Sequence, residues 1–398
     1  MNLQNKIKKT EIAVVFLFLI LIVGCQKKKT VEERLTLPRG KYDTAIMANG
    51  ATVSAEVHSL ESTNDALTAA SLPASYELHF TLNVAIPTPA TTFTTLSAAT
   101  PDIEKALPDL KSMLFEKEQP LKASPHYTTL YQNKIKTLNN HLSHLDQLLS
   151  RQLLYDCQTI LPLTNSKNGF KALLVQAMMN VNTDGSDGDR NIPLEKLSPS
   201  YQPQTNYRWP KKSSHPNPNS RDLEVQLALK EIALKEPLVT SEQKNKLQQQ
   251  INTSKTMIAE LQRWSFLIGS ADPFIVLPKF MLGEKNGDAA LGDYAVVLYQ
   301  GTLYPAVVGD IGPSTKLGEA SLRLCRALDP RSGALHRPME APHVSYFIFP
   351  GSAEHPLAAP DYKHWSERCH QLWGNLGGSP SIPWHEWENL EQPWLEEK

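Results

Sequence analysis

Tyr294-Ala-Val-Val-Leu-Tyr-Gln-Gly-Thr-Leu-Tyr-Pro-Ala-Val-Val308 decides the fold class. Two runs rich in β-branched and aromatic residues, Tyr294 to Tyr299 and Thr302 to Val308, flank Gln300-Gly301, which predicts two strands joined by a tight hairpin. Phe274-Ile275-Val276-Leu277 upstream and Val344 to Phe349 downstream are strand-like as well. The C-terminal part is therefore expected to be β-rich. A block at about 221–268 differs in kind: Leu247, Ile251, Ile258, Leu261 and Ile268 form a stripe at helical spacing, and Thr240 with Gln243 fits a capping box. Leu223, Leu227, Leu229, Ile232 and Leu234 precede it, and Pro237 separates the two halves. This block is expected to be a helical hairpin inserted into the sheet domain.

Towards the N-terminus, Tyr76 to Ile86 alternates apolar and polar as a half-buried strand does, and Val53, Ala55 and Val57 repeat the pattern in shorter form. Residues 102–116 read as helix interrupted by Pro108, and about 125–155 as a longer helix with Leu138, Leu142, Leu145, Leu149 and Leu153 on one stripe. The class expected is α+β: a β-rich domain over 151–375, preceded by a smaller β/helical domain over 41–150. A Trp-rich tail follows over 376–398. Trp365, Trp373, Trp384, Trp387 and Trp394 fall near the end of the chain, where aromatic faces can stack on sugars or pack the tail against the domain.

The first residues read as an export signal. Lys6, Lys8 and Lys9 precede an apolar run from Ile12 to Val23, shorter than the roughly 20 residues a helical span needs. Ile22-Val-Gly-Cys25 then resembles the lipobox of bacterial lipoproteins. That resemblance implies cleavage after residue 24, lipid on Cys25, a polar tether over 25–40 and an extracytoplasmic, lipid-anchored protein in the cell envelope. Gln26 in the next position favours the outer membrane where a cell has one. Without Lys6, Lys8, Lys9 and Glu11, the 40 basic and 41 acidic side chains become 37 and 40, a net charge of −3. No basic stripe suggests nucleic acid. Cys157, Cys325 and Cys369 allow one disulfide in an oxidising compartment, with the pairing open, and no Cys/His cluster has zinc-site spacing.

The chemistry concentrates in Gly309-Asp-Ile-Gly-Pro-Ser-Thr-Lys-Leu-Gly-Glu-Ala-Ser321. Asp310 ends a strand, and Glu319 is expected to open a helical run reaching Leu328. The Gly/Pro/Ser loop between them can turn two carboxylates towards one cleft. Glycosidic hydrolysis needs such a pair, one carboxylic acid and one carboxylate. An Asp after a strand can equally make an Asx turn, and a Glu in a first helical turn can answer the helix dipole.

This block, with Phe274-Ile-Val-Leu-Pro278 and Leu291-Gly-Asp-Tyr-Ala-Val-Val297, resembles the chitosanases of glycoside hydrolase family 75. Met178-Met-Asn-Val-Asn-Thr-Asp-Gly185 and Tyr201-Gln-Pro-Gln-Thr205 resemble two further family segments, so the likeness covers about 155–350. It implies a β-barrel core, endo-hydrolysis of β-1,4 linkages in chitosan by inversion, and Asp310 and Glu319 as the catalytic pair. Glu319 is assigned the acid and Asp310 the base. Asp184, Asp187, Thr205 and Tyr201 become candidate substrate-binding residues for an amino-sugar polysaccharide. No metal or other cofactor is called for, since two carboxylates and water suffice. Asn180 and Asn182 stand where the family often has Asp, and the loop from Asp310 to Glu319 is short. The lost acids keep peptidoglycan or another envelope glycan open as substrate, and a non-catalytic glycan-binding or scaffold lipoprotein is the remaining alternative. For Asp184-Gly-Ser-Asp-Gly-Asp189 a calcium loop and a solvated turn are also open.

Overall fold

The computed structural model describes residues 51–59, 76–116, 119–141, 155–192, 201–283, 288–333 and 336–393. The export signal, Cys25, the tether, Trp394 and the expected helix beyond residue 141 lie outside the described residues.

Two strands, β1 (Ala51–Ser59) and β2 (Tyr76–Val84), pair antiparallel with Ala51 opposite Val84. Three short helices follow, α1 (Phe93–Ala99), α2 (Ile103–Ala106) and α3 (Leu110–Met113); Pro108 falls between the last two, as expected of a residue that cannot donate to a helix ladder. The small ribbon β3 (Phe115–Glu116) and β4 (Gln119–Pro120) leads to α4 (Pro125–Asn140), whose N-cap Ser124 accepts the His126 N–H and whose first residue is proline.

The main sheet contains β5 (Cys157–Thr164), β6 (Lys171–Asn182), β9 (Phe274–Pro278), β10 (Tyr294–Tyr299), β11 (Thr302–Gly312), β12 (Glu319–Ser321) and β13 (Met339–Ile348). Six of these strands close a ring in the order β12, β9, β11, β10, β13, β6 and back to β12, and β5 adds to the edge of β6. The pairs β9–β11 and β12–β6 are parallel, and the others antiparallel. The hairpin lies where expected: Gln300 and Gly301 have φ of 46° and 72°, the left-handed pair a tight two-residue turn requires.

Alternation along these strands sorts their side chains into two cores. Tyr294, Val296 and Leu298 share a cluster with Val276, Val307 and Phe347, and with α1 to α3 through Leu96, Ile103 and Leu110. Ala295 and Val297 join Ile275, Val308, Tyr346 and Ile348 on the other face, with Tyr127, Leu130 and Tyr131 of α4. With both faces buried, the strands read as nearly continuous apolar runs. The expected boundary at 150 therefore does not separate two cores, because the helices between 93 and 140 complete both faces of the sheet. The inserted hairpin is α5 (Ser220–Leu234) and α6 (Ser241–Arg263), with the Thr240–Gln243 capping box in place. It ends earlier than expected, since Trp264–Phe266 form β8 against β7 (Arg208–Pro210). A final helix, α8 (Tyr362–Leu376), seats Trp365 and Trp373 in the first core, and the tail beyond it runs along Leu303, with Trp384 stacked on His370. Among the tail's described residues, packing rather than free display is what the aromatics do. Cys157, Cys325 and Cys369 are buried free thiols.

A buried ion pair ties α4 to the sheet. Lys134 and Asp156 are 2% and 1% exposed and lie 2.9 Å apart, and the Lys134 ammonium also donates to the Thr315 carbonyl at 2.7 Å. Burial pushes the Asp156 carboxyl up, and the Lys134 charge opposes it. Removing one member of such a pair leaves an uncompensated buried charge. Lys134→Met should cost about 3–5 kcal/mol in urea unfolding, and adding Asp156→Leu should restore most of it. A double variant as unstable as the single one would show that Lys134 matters chiefly through Thr315.

Candidate active site

Strand β9 is the reference for the site. On one side β11 runs parallel to it, with Val307 opposite Phe274 and Val308 opposite Ile275; the register then shifts so that Asp310, not Gly309, lies opposite Val276. Gly309 is the extra residue of a β-bulge. A Cβ there would come within 2.6 Å of the Phe274 side chain, so only glycine fits. The bulge has a chemical consequence. Ala306 and Val308 point into the second core, and plain alternation would send Asp310 after them. One inserted residue turns it to the opposite face, beside Val276.

On the other side of β9 lies β12, with Glu319 opposite the same Val276, and β6 places Asn180 opposite Glu319. Asn180, Glu319, Val276 and Asp310 thus form one row across four strands, on one face. Gly318, at φ 83°, makes the entry to β12 possible: a Cβ there would lie 2.0 Å from the Met178 carbonyl oxygen. The two glycines of the Gly-Asp and Gly-Glu motifs are steric requirements of the row. Two strand spacings separate Asp310 from Glu319, about 9–10 Å between their Cα atoms. Gly312, on the Asp310 strand, leaves the space between them open; a Cβ there would stand 3.6 Å from Glu319 Oε2.

This corrects one expectation. Glu319 does not sit in a first helical turn; it is strand, and the next helix, α7 (Leu322–Leu328), is capped by the Ser321 hydroxyl, which accepts the Leu324 N–H. Its orientation comes from pairing on both sides, not from a helix dipole. The Lys316 ammonium lies 3.1 Å from Glu319 Oε2.

Asp310 is 6% exposed and Glu319 9%. The Asn206 N–H donates to Asp310 Oδ1 at 2.8 Å, while Asn206 Oδ1 accepts the Ile311 N–H at 3.2 Å, a reciprocal clamp. Burial, against these hydrogen bonds and with the charges of Asp184 and Glu319, pushes the Asp310 carboxyl up to about 7. Asp184 follows β6 and is pushed up to about 6, again by burial first and then by the Glu319 charge, with the Gln202 N–H opposing. Its carboxylate accepts the Gln202 N–H at 2.7 Å and the Asn182 Nδ2–H at 3.2 Å. An aspartate at 182 has no proton to donate there, so Asn182 has a definite local role. Three acids therefore share one neighbourhood, two of them on the row and Asp184 at its end.

The other candidates fall elsewhere. Asp187 is buried and paired at 2.6 Å with Arg190, which also grips Asp272 through two nitrogens, so it faces the interior and not the cleft. Thr205 is buried, donating to the Tyr207 and Leu267 carbonyls. Tyr201 is half-buried; its hydroxyl donates to the Gly185 carbonyl and accepts from Asn219 Nδ2. Asp189 accepts the Lys212 and Ser213 N–H groups. The acids of 184–189 thus turn to separate partners and do not converge as calcium ligands. Among the described residues no group of three or more His, Cys, Asp or Glu is placed to hold a metal ion. Asn206 and Lys134 carried no local signal in the sequence, whereas Lys316, three residues from Glu319, did.

Residues 179–372 match the family described as fungal chitosanase of glycosyl hydrolase group 75. The match spans 194 of the 398 residues and indicates a glycoside hydrolase, chitosanase-like in kind. No curated protein matches the chain significantly. The resemblance expected over 155–350 is thus found somewhat later, from the end of β6 into α8. It takes in both motif glycines, the carboxylate row and the helical hairpin. Helices α1 to α4 and strand β5 precede the matched segment, yet pack into the cores of the group 75 domain.

Burial that raises Asp310 also sets a pH dependence. Its proton is held more tightly in the folded chain than in the unfolded one, so stability is lost as pH rises from about 4 to about 7. Asp310→Asn should therefore match the parent at pH 4 and exceed it by about 1–4 kcal/mol at pH 8 in urea unfolding. Equal stability at both pH values would refute the raised carboxyl.

Proposed function

We propose that this chitosanase-like protein is an endo-acting hydrolase of β-1,4 linkages in chitosan, working by inversion. The single observation behind the reading is the register that sets Asp310 and Glu319 opposite the same residue of β9. Cα atoms two strands apart, on one face, are compatible with the roughly 6.5–9.5 Å carboxyl separation of inverting enzymes, which leaves room for a water. Retaining enzymes need the two closer.

The electrostatics favour exchanging the roles expected from sequence. A general acid must hold its proton near working pH, and Asp310, pushed up to about 7, does so. Glu319, beside the Lys316 ammonium, is then the base. Asp310 gives its proton to the glycosidic oxygen as the C1–O bond breaks. Glu319 takes a proton from the water whose oxygen bonds to C1 on the opposite face. Product release leaves Asp310 ionised and Glu319 protonated, and solvent restores both. Asp184, ionised above about pH 6, would attract a glucosamine ammonium.

With the full chain in detergent, chitosan should release oligosaccharides detectable by mass spectrometry, and Glu319→Gln or Asp310→Asn should each reduce release at least about 10³-fold. A glycosyl fluoride needs little help from an acid, so Asp310→Asn should keep substantial activity on it while Glu319→Gln does not. The reverse pattern would restore the assignment expected from sequence. Asn180 and Asn182, where acids would suit a polycation, support a second reading in which peptidoglycan is the polymer; release from peptidoglycan alone would select it. No release from any polymer would leave the binding or scaffold alternative.

The apolar run and Ile22-Val-Gly-Cys25 support a further part of the proposal, a lipid anchor on Cys25 that holds the enzyme outside the cytoplasm. Cys25→Ser should abolish incorporation of labelled palmitate and prevent maturation. A variant that still incorporates label at wild-type level would exclude this anchor.

A further inference from the structure

The inserted hairpin does something the carboxylate row does not explain. Asp222, Gln226 and Lys230 lie on one face of α5 at helical spacing, with Asn219 at its N-cap, and Lys246, Gln250, Ser254 and Met257 lie on one face of α6. Such facing stripes usually close into an apolar seam. Here they are mainly polar and, with Tyr201 and Gln202, line a groove of about 720 Å³. The helices are held together within its wall, where Lys230 donates to the Ser254 hydroxyl at 2.9 Å, and beside it, where Lys255 pairs with Glu231 at 2.8 Å.

The groove adjoins the site through a shared strip of backbone. Gln202, in its wall, donates its N–H to Asp184 Oδ1, and the Gly185 N–H donates to the Gln202 carbonyl at 2.7 Å. Tyr201 beside it reaches the Gly185 carbonyl. A polymer whose amine sits at Asp184 has the groove one residue away.

The groove's chemistry differs from that of the row. The row and its end carry three carboxylates, suited to free amines. The groove carries primary amides, namely Gln202, Asn219, Gln226, Gln249 and Gln250, with Lys230 and Lys246 against the single acid Asp222. Amides donate to and accept from hydroxyl and acetamido groups, while two ammonium groups disfavour a glucosamine cation. We infer that the groove between the inserted helices and the 201–203 segment is an extended subsite for N-acetylated sugar units of the chain being cut. This rests on the proposed hydrolase reading for the polymer's identity. The enzyme would then read acetylation pattern, with a free amine required near Asp184 and acetylated units favoured beyond it.

The test uses the full chain in detergent with Glu319→Gln, so that ligands persist, titrated calorimetrically with tetramers of N-acetylglucosamine and of glucosamine. The acetylated tetramer should bind, and Gln226→Ala with Gln250→Ala should weaken it at least about tenfold while changing the glucosamine tetramer less than about twofold. Lys246→Glu should strengthen the glucosamine tetramer several-fold, a gain that misfolding cannot imitate. Absence of acetylated-tetramer binding, or equal weakening of both ligands, would overturn the subsite. If the parent chain releases nothing from chitosan yet the groove variants behave as stated, the hydrolase reading fails and the subsite stands. If chitosan is cut and the variants change nothing, the subsite fails alone.

Discussion

The site depends on β9 being held in register between two neighbours. Val276 is the common reference: Asp310 faces it from β11 and Glu319 from β12. Backbone hydrogen bonds fix such distances far more tightly than a loop does, and a slip of one residue on either side would send a carboxylate to the other core. The device that sets the register is small. Gly309 shifts β11 by one residue, and Gly318 lets β12 enter against Met178. Both act by lacking a side chain.

Rigid placement has to be supported from outside the matched segment. The loop joining the two acids, 313–318, meets α4 through Lys134 on the Thr315 carbonyl and Asn133 on the Ser314 carbonyl. On the other face α1 reaches the sheet where the Leu96 carbonyl and the Thr100 hydroxyl accept from the buried Gln176 amide. A six-stranded ring with two buried faces has more apolar surface than its own strands can cover. The helices between 93 and 140 are what make the hydrolase domain a folding unit.

Legibility followed the range of the interactions. The hairpin at 294–308 was readable because strand propensity, alternation and turn chemistry are all local, and the capping box at Thr240 likewise. The motif acids could be singled out only through the resemblance to the family, since spacing alone leaves an Asx turn and a helix-dipole carboxylate equally open. Glu319's secondary structure could not, because three residues of strand carry almost no pattern of their own and are made strand by β6 and β9, more than 40 residues away in sequence. Asp187 looked like a free acid in a polar loop; its partner in the ion network, Asp272, meets it only through Arg190 and the folded chain. The packing of the helices at 93–140 onto both faces of the sheet was hidden for the same reason. Apolar helices announce that they pack on something, but not on what.

The carboxylates show why such a site is held by so much structure. Burial opposes ionisation of Asp310 and Asp184, which hold protons at pH values where free carboxyls have lost them. That is useful only if the acids differ. Asp310, clamped by Asn206 in a nearly closed position, pairs with no cation among the described residues. Glu319 has Lys316 at 3.1 Å. Asp184 keeps some exposure and two hydrogen-bond donors. One carboxyl is thus pressed towards its neutral form while its partner keeps a counter-charge, and that inequality, more than the presence of two acids, is what an acid and a base on one face of a sheet require. It comes from neighbours at 206 and 316, one far away in sequence and one three residues along, so the proposed division of labour would be set by the fold and not by the motif.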